Sequence, residues 1–304
     1  MKLNLVLHPD ELTSATYPTL EHIYKDAFNV SLYDSNKTYD LDTLFLLYYN
    51  ISTAVNDALI NQLLDQGHKV ILDQLHDYNI SADVPKAAIR LRHVDWFWAN
   101  EYFYNLAHRL ESYVPRRTFD RKFLMPINRP NPVRQRIKDM LMDQDMIYSY
   151  NKNPELPVNA EPNVWDRGFN PNWYDATCFS AVVETRQQLN PLDPMLFITE
   201  KTYKPIAFKH PFILFSEQGV LNHIHSLGFE IFDNLFDCSY DKITDTKERI
   251  LHVVEQIKQF EKQPYDKLTI EKIDHNYNLF YNKQRVDQIV TEAIINPILE
   301  YAET

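Results

Sequence analysis

Residues 197–215 read FITEKTYKPIAFKHPFILF, and the change of character within them decides the fold class. An apolar run, Met195 to Ile198, stops at Thr199-Glu200-Lys201, and a second, Pro211 to Phe215, begins about three helical turns later. The spacing predicts a strand or loop, then a helix, then a strand. Thr199 is the expected N-cap, its hydroxyl accepting from the free N–H groups of the first turn. Glu200 suits that end of a helix. Lys201 does not, since its charge opposes the helix dipole by roughly 0.3–1 kcal/mol unless an anion beside it shares the same N–H groups. The stretch therefore predicts a phosphate or diphosphate site with Thr199, Glu200, Lys201 and Thr202 at its mouth.

The same grammar recurs on both sides. Leu44 to Tyr49 is an apolar run; the helix after it carries Val55, Leu59, Leu63 and Leu64 on one face, Gly67 stops it, and the next strand ends in Asp73. Beyond Phe215, residues 218–227 read as a helix stopped by Gly228 and followed by a short strand, Phe229 to Phe232. Further strands are expected at Leu3 to Leu7, Val94 to Ala99, Phe123 to Arg129 and Thr177 to Val183, the last ending in Glu184-Thr185. Helices are expected at 100–110, 133–142, 268–281 and 284–301, and after the capping pair Asp245 and Glu248. Residues 10–40 show no clear period, and 151–172, rich in Pro and Asn, read as an ordered surface loop or an insertion. Alternating strands and helices give an α/β class with two domains, 1–122 and 123–283, followed by a final helix, 284–304, which is expected to cross back to the first.

Composition narrows the function. The 304 residues are 44% hydrophobic and 13% aromatic, which is globular, and carry a formal charge of −11 with a pI near 5.4. A protein that coats nucleic acid would be basic, so a polyanion here must meet a local patch. Cys178 and Cys238 lie far apart without metal spacing, the start MKLNLVLHPDEL has no secretory pattern, and no run reaches the ~20 apolar residues of a membrane span. A soluble, cytoplasmic protein is the expectation.

Several chemistries lose their support at the level of motif. There is no Gly-x-Gly-x-x-Gly, no Walker loop, no Gly-x-Ser-x-Gly and no His-Glu-x-x-His. His223 and His225, two apart on a helix, do not share a face. Asp40-Leu41-Asp42 and Asp143-Gln144-Asp145 have the spacing of a metal-diphosphate pair but follow a loop and a helix, and read as solvated acidic faces. No metal is expected. Any phosphate must then be held by side chains and a helix end, and Arg129, at a strand-to-helix turn, offers a planar fork for its oxygens.

The order Ile127-Asn128-Arg129 with Arg134 or Arg136, then Phe179 to Thr185, then Ile198-Thr199-Glu200-Lys201-Thr202 leading to Pro211-Phe212-Ile213 resembles the donor half of the alpha-1,3-fucosyltransferase family and related bacterial and phage glycosyltransferases. The resemblance covers about residues 123–240. It implies a GT-B arrangement, two Rossmann-like domains facing a cleft, with a nucleoside diphosphate sugar as co-substrate and no other cofactor. In that family the glutamate faces the ribose, while the lysine and an upstream arginine neutralise the diphosphate. Carried over, these roles fall on Glu200, Lys201 and Arg129, with Glu184 beside them. Tyr203-Lys204-Pro205 departs from the apolar, small-residue helix usual there, which leaves the donor open.

Transfer to an acceptor hydroxyl needs a base. Strand ends of the first domain offer His8, Asp73, His76, Asp77 and Asp95, ordered Asp73, Asp77, His8; each also reads as a capping or salt-bridged group. The expected acceptor is a glycan or a hydroxymethylated pyrimidine in phage DNA. For DNA the basic residues to consider are Lys69, Lys86, Arg116, Arg117, Arg121 and Lys122, of which the run Arg116 to Lys122 reads more readily as a solvated loop. The alternative is a non-catalytic binding or assembly protein on the same fold, to which an acidic, tyrosine-rich surface is suited.

Overall fold

The structure is a computed structural model that describes residues 3–7, 24–34, 36–49, 55–74, 89–91, 98–99, 102, 113–127, 131–150, 171–188 and 196–303. The chain is α/β and divides into two units, Met1–Trp96 with Asp287–Thr304, and Phe97–Val286.

The first unit is built on β1 (Leu3–Leu7), β2 (Phe28–Leu32), β3 (Leu44–Tyr49), β4 (Lys69–Gln74) and β5 (Ile89–Leu91), all parallel in the order β2-β1-β3-β4-β5. Helix α1 (Val55–Asp65) joins β3 to β4 and presses Ile60 and Leu63 onto Val6, Phe45 and Val70. Gly67 stops it at φ +84, with its N–H bonded to Leu64 O at 2.9 Å and that of His68 to Leu63 O at 3.0 Å. A left-handed residue of this kind is cheap only for glycine.

The last helices return to this unit. A helix at Lys283–Val290 passes through a π-helical turn, Thr291–Ile295, into Asn296–Glu303, where the Lys69 ammonium meets the carbonyls of Ala302 at 2.5 Å and Tyr301 at 3.3 Å. A cation there satisfies orphan carbonyls and opposes the negative end of the helix dipole.

The second unit carries β6 (Arg121–Ile127), β7 (Met146–Tyr150), β8 (Thr177–Val183) and β9 (Phe212–Phe215), parallel in the order β7-β6-β8-β9. Every residue of β8 and β9 is buried, as expected of strands covered on both faces. Phe123 stacks on Phe179 with centroids 5.5 Å apart, and Phe236 and Phe260 close over Phe179. In both sheets the chain places its second strand on one side of the first and its third on the other. That makes a topological switch point between β1 and β3, and between β6 and β8.

Four expectations are corrected. The run at 94–99 is not a strand where it is described: Trp98 and Ala99 are helical, and Trp98 is packed against Tyr203 and Phe229 with its Nε1–H donated to Phe280 O at 3.1 Å. A short apolar run does not by itself tell a buried strand from a buried helix. Phe229 to Phe232 is no strand either, because the Asn276 side chain takes the place of a partner, accepting from Glu230 N at 2.6 Å and donating to Glu230 O at 2.8 Å. The unit boundary falls at Trp96–Phe97 instead of 122–123, since 113–120 are tied to the second sheet. There the buried Asp175 accepts from Tyr113 Oη at 2.5 Å and Arg116 N at 2.9 Å, while the Arg117 guanidinium reaches the carbonyls of Tyr174, Phe208 and Lys209. Finally, the basic run is divided: Arg117 and Lys122 turn into the fold, while Arg116 and Arg121 stay exposed. Lys122 donates to the carbonyls of Ile257 and Lys258, and Arg121 pairs with Asp145 at 2.8 Å.

Among the described residues no helix is long and apolar enough to cross a membrane.

Candidate functional site

The C-terminal edge of the second sheet, beside its switch point, gathers the residues singled out above. Val183 ends β8, and Glu184 follows it with no exposure at all. Its carboxylate is shared out completely. Oε1 accepts from Thr199 N at 3.1 Å and from the Thr202 hydroxyl at 2.5 Å; Oε2 accepts from the Thr199 hydroxyl at 2.7 Å and from Thr185 N at 3.1 Å. Its carbonyl accepts from Arg134 at 3.1 Å and from the Gln187 side chain. Glu184 and Thr202 therefore bind the chain itself.

Thr199 is the N-cap of the helix Glu200–Ala207, in extended backbone conformation, with its hydroxyl accepting from Lys201 N at 3.4 Å. The Lys201 ammonium lies 2.7 Å from Glu200 Oε1 and 3.3 Å from the hydroxyls of both Thr185 and Thr199. Both side chains of the ion pair keep a foothold in solvent, Lys201 at 17% and Glu200 at 15% exposure. Burial alone would raise the Glu200 pKa; the charges of Lys201 and Lys204 and the Lys201 hydrogen bond outweigh it and bring it down to about 2. At neutral pH the mouth of the helix thus holds a fixed carboxylate, an ammonium and two hydroxyls.

A second buried carboxylate completes the frame. Glu217, two residues past the end of β9, accepts from Phe197 N at 3.0 Å and from Arg186 Nη2 at 3.1 Å, and Arg186 lies over the Phe197 ring. Glu184 and Glu217 pin the return of the 184–199 segment at neighbouring points, Thr199 and Phe197. Arg249, buried, draws in the same region by donating to Ser216 O at 3.1 Å and Gln187 O at 2.6 Å. Sequence reasoning did not single out Glu217, Arg186 or Arg249. The one available signal was positional, a glutamate just past the end of each of two fully buried strands.

Next to this edge the helices Pro132–Leu141 and Thr246–Gln259 leave a groove of about 290 Å³. Its walls are apolar, with Val133, Ile137, Met140 and Ile250, and two exposed cations, Arg136 and Lys247, line it. Arg134 points the other way, to Glu184, and is buried.

Of the remaining expected site residues, Arg129, Asp77 and His8 lie outside the described residues, as do His76 and Asp95. Asp73 sits on β4, in register with Tyr48 of β3 and Leu91 of β5, next to the last residue of its strand. Asp145 pairs with Arg121 and Lys262 at the opposite edge from the candidate site, just before β7 begins, which fits the reading of its Asp-x-Asp triplet as a solvated face. Among the described residues no three His, Cys, Asp or Glu side chains gather as metal ligands.

Compared with known protein families, curated proteins and solved structures, the chain matches none.

Proposed function

We propose that the chain is a glycosyltransferase of the GT-B type that takes a sugar from a nucleoside diphosphate sugar, binding the diphosphate at the mouth of the helix Glu200–Ala207. The observation that carries this reading is Lys201. It is a lysine in the first helical turn, where the dipole disfavours it, and it is partly exposed among two hydroxyls and a carboxylate at the switch point of a parallel sheet. An anion there meets the ammonium, the Thr185 hydroxyl and the positive end of the helix together, and the same groups stabilise the diphosphate as it leaves. Glu200, kept charged by its neighbours, is proposed to accept from the ribose hydroxyls once Lys201 turns to the diphosphate. The apolar groove of Val133, Ile137, Met140 and Ile250 is proposed to take the base.

For the group that deprotonates the acceptor hydroxyl we propose Asp73. The acceptor itself is proposed to be a sugar hydroxyl, since Arg117 and Lys122 of the basic run are engaged by internal carbonyls instead of being offered to a nucleic-acid backbone.

Release of nucleoside diphosphate from a panel of nucleotide sugars tests the reading. Turnover by the wild type that is lost in Lys201→Ala and Glu200→Ala is the expected result. Binding without turnover supports the non-catalytic alternative, and no response to any nucleotide overturns the glycosyltransferase reading.

A further inference from the structure

A buried carboxylate beside a proposed anion site is at first sight a liability, since it repels the charge the site is to hold. Glu184 escapes this because each of its oxygens faces two internal donors, one of them a backbone N–H: Thr199 N on Oε1 and Thr185 N on Oε2. The remaining two donors are the hydroxyls of Thr202 and Thr199. The residues so held supply the surroundings of Lys201, whose ammonium is met by the Thr185 and Thr199 hydroxyls. Because its own hydroxyl hydrogen goes to Glu184, Thr199 presents only lone pairs to Lys201 N and Nζ. Orientation therefore passes from Glu184 through Thr199 to Lys201.

We propose that Glu184 is the positioning residue of the anion site, setting the direction of the Lys201 ammonium through Thr185, Thr199 and Thr202 without touching the ligand. This rests on the function proposed above. It also carries a sharp chemical consequence. A hydroxyl can rotate to suit a changed partner, but a backbone N–H cannot. Glutamine at 184 has the shape of glutamate, yet in either flip its amide NH₂ is set against a backbone N–H, that of Thr199 or that of Thr185. The isosteric substitution is therefore not tolerated, whereas loss of the single Thr202 hydroxyl is milder.

The test combines calorimetry of inorganic pyrophosphate and of nucleoside diphosphates with amide hydrogen exchange, on the full chain. Glu184→Gln is expected to weaken anion binding about 10-fold or more, with Thr202→Val losing less and Thr202→Ser restoring wild-type affinity. Adding Glu184→Gln to Lys201→Ala is expected to bring no further loss, because the first residue acts through the second. In exchange, the Thr185 and Thr199 amides are protected in the wild type, and at least one of them loses protection in Glu184→Gln. Wild-type affinity in Glu184→Gln, or losses that add in the double variant, overturns the proposal. If the wild type binds no diphosphate, the proposed function fails, and the exchange data still decide the positioning role: unchanged protection of both amides overturns it, and loss at either upholds it. Should Glu184→Gln fail to fold, Thr202→Val and Thr202→Ser decide between the same outcomes: lower affinity in Thr202→Val than in Thr202→Ser upholds the proposal, and equal affinities overturn it.

Discussion

The ammonium of Lys201 lies 2.7 Å from the carboxylate of Glu200, its neighbour in the chain. Two residues that share the first turn of a helix are thereby joined side chain to side chain at its mouth, and the pair determines what an incoming anion meets. A diphosphate must draw the ammonium away from Glu200, which the two threonine hydroxyls at 3.3 Å make a short movement.

The pair titrates in a defined direction. The Glu200 pKa, about 2 in the fold, lies below its ordinary value of 4.5, so its pairing stabilises the fold fully above that ordinary value and loses the contribution as pH falls from about 4.5 through about 2. Lys201→Met is expected to move the Glu200 midpoint upward, since the charge and the hydrogen bond that lower it are both removed. Carboxyl-carbon NMR titration of the two proteins checks this, and an unchanged midpoint contradicts the pairing.

Lys201→Ala is expected to weaken binding of a nucleoside diphosphate about 10- to 100-fold, the range set by one charge-assisted contact of ~1.5–3 kcal/mol. Calorimetry at constant salt measures it. The same variant removes the cation that holds the carboxylate of Glu200 charged, so urea unfolding at neutral pH is expected to show a loss of about 1–2 kcal/mol of stability.

Filling the groove separates base from phosphate. Val133→Trp and Met140→Trp are expected to weaken a nucleoside diphosphate about 10-fold while leaving inorganic pyrophosphate unchanged, because only the former has a ring to place there. Equal loss for both ligands contradicts the assignment of the groove to the base.

Much of this architecture was legible in the sequence because its punctuation is strong. Gly67 and Gly228 both stand at positive φ, +84 and +100, directly after a helix, and each is followed by a residue bonded back to the last turn. β3 and β9 are continuous apolar runs, and β8 is buried throughout with Thr177 and Ser180 as its polar residues, so their boundaries carry over into the structure. What was not legible is what lies at edges or depends on distant partners. β2 and β7 are edge strands, partly exposed and short, so they lack an apolar run to announce them. Phe229 to Phe232 has a strand's composition and an Asn276 side chain where a strand would be. In the site, Thr199 and the Glu200-Lys201 pair follow from local capping chemistry. The inward turn of Glu184 depends on residues 15 and 18 positions away, which no local pattern displays.

Gly228 differs in a testable way from Gly219, the N-cap of the helix Val220–Ser226. A Cβ at Gly228 would meet Leu279 Cδ2 at 3.2 Å, whereas at Gly219, also left-handed at φ +85, it would meet nothing within 4 Å. Gly219→Ala is therefore expected to cost about 1–2 kcal/mol of stability from backbone strain alone, and Gly228→Ala more. Urea unfolding of both variants decides it, and a smaller loss at Gly228 contradicts the packing described.

The central claim is that the mouth of the helix Glu200–Ala207 holds the diphosphate. The most direct test is a crystal structure of the wild type with a bound nucleoside diphosphate. Phosphate oxygens are expected within hydrogen-bond distance of Lys201 Nζ and the Thr185 hydroxyl, with Glu200 released from Lys201 toward the ribose. A nucleotide bound elsewhere, with the Lys201–Glu200 pair still closed, would contradict the claim.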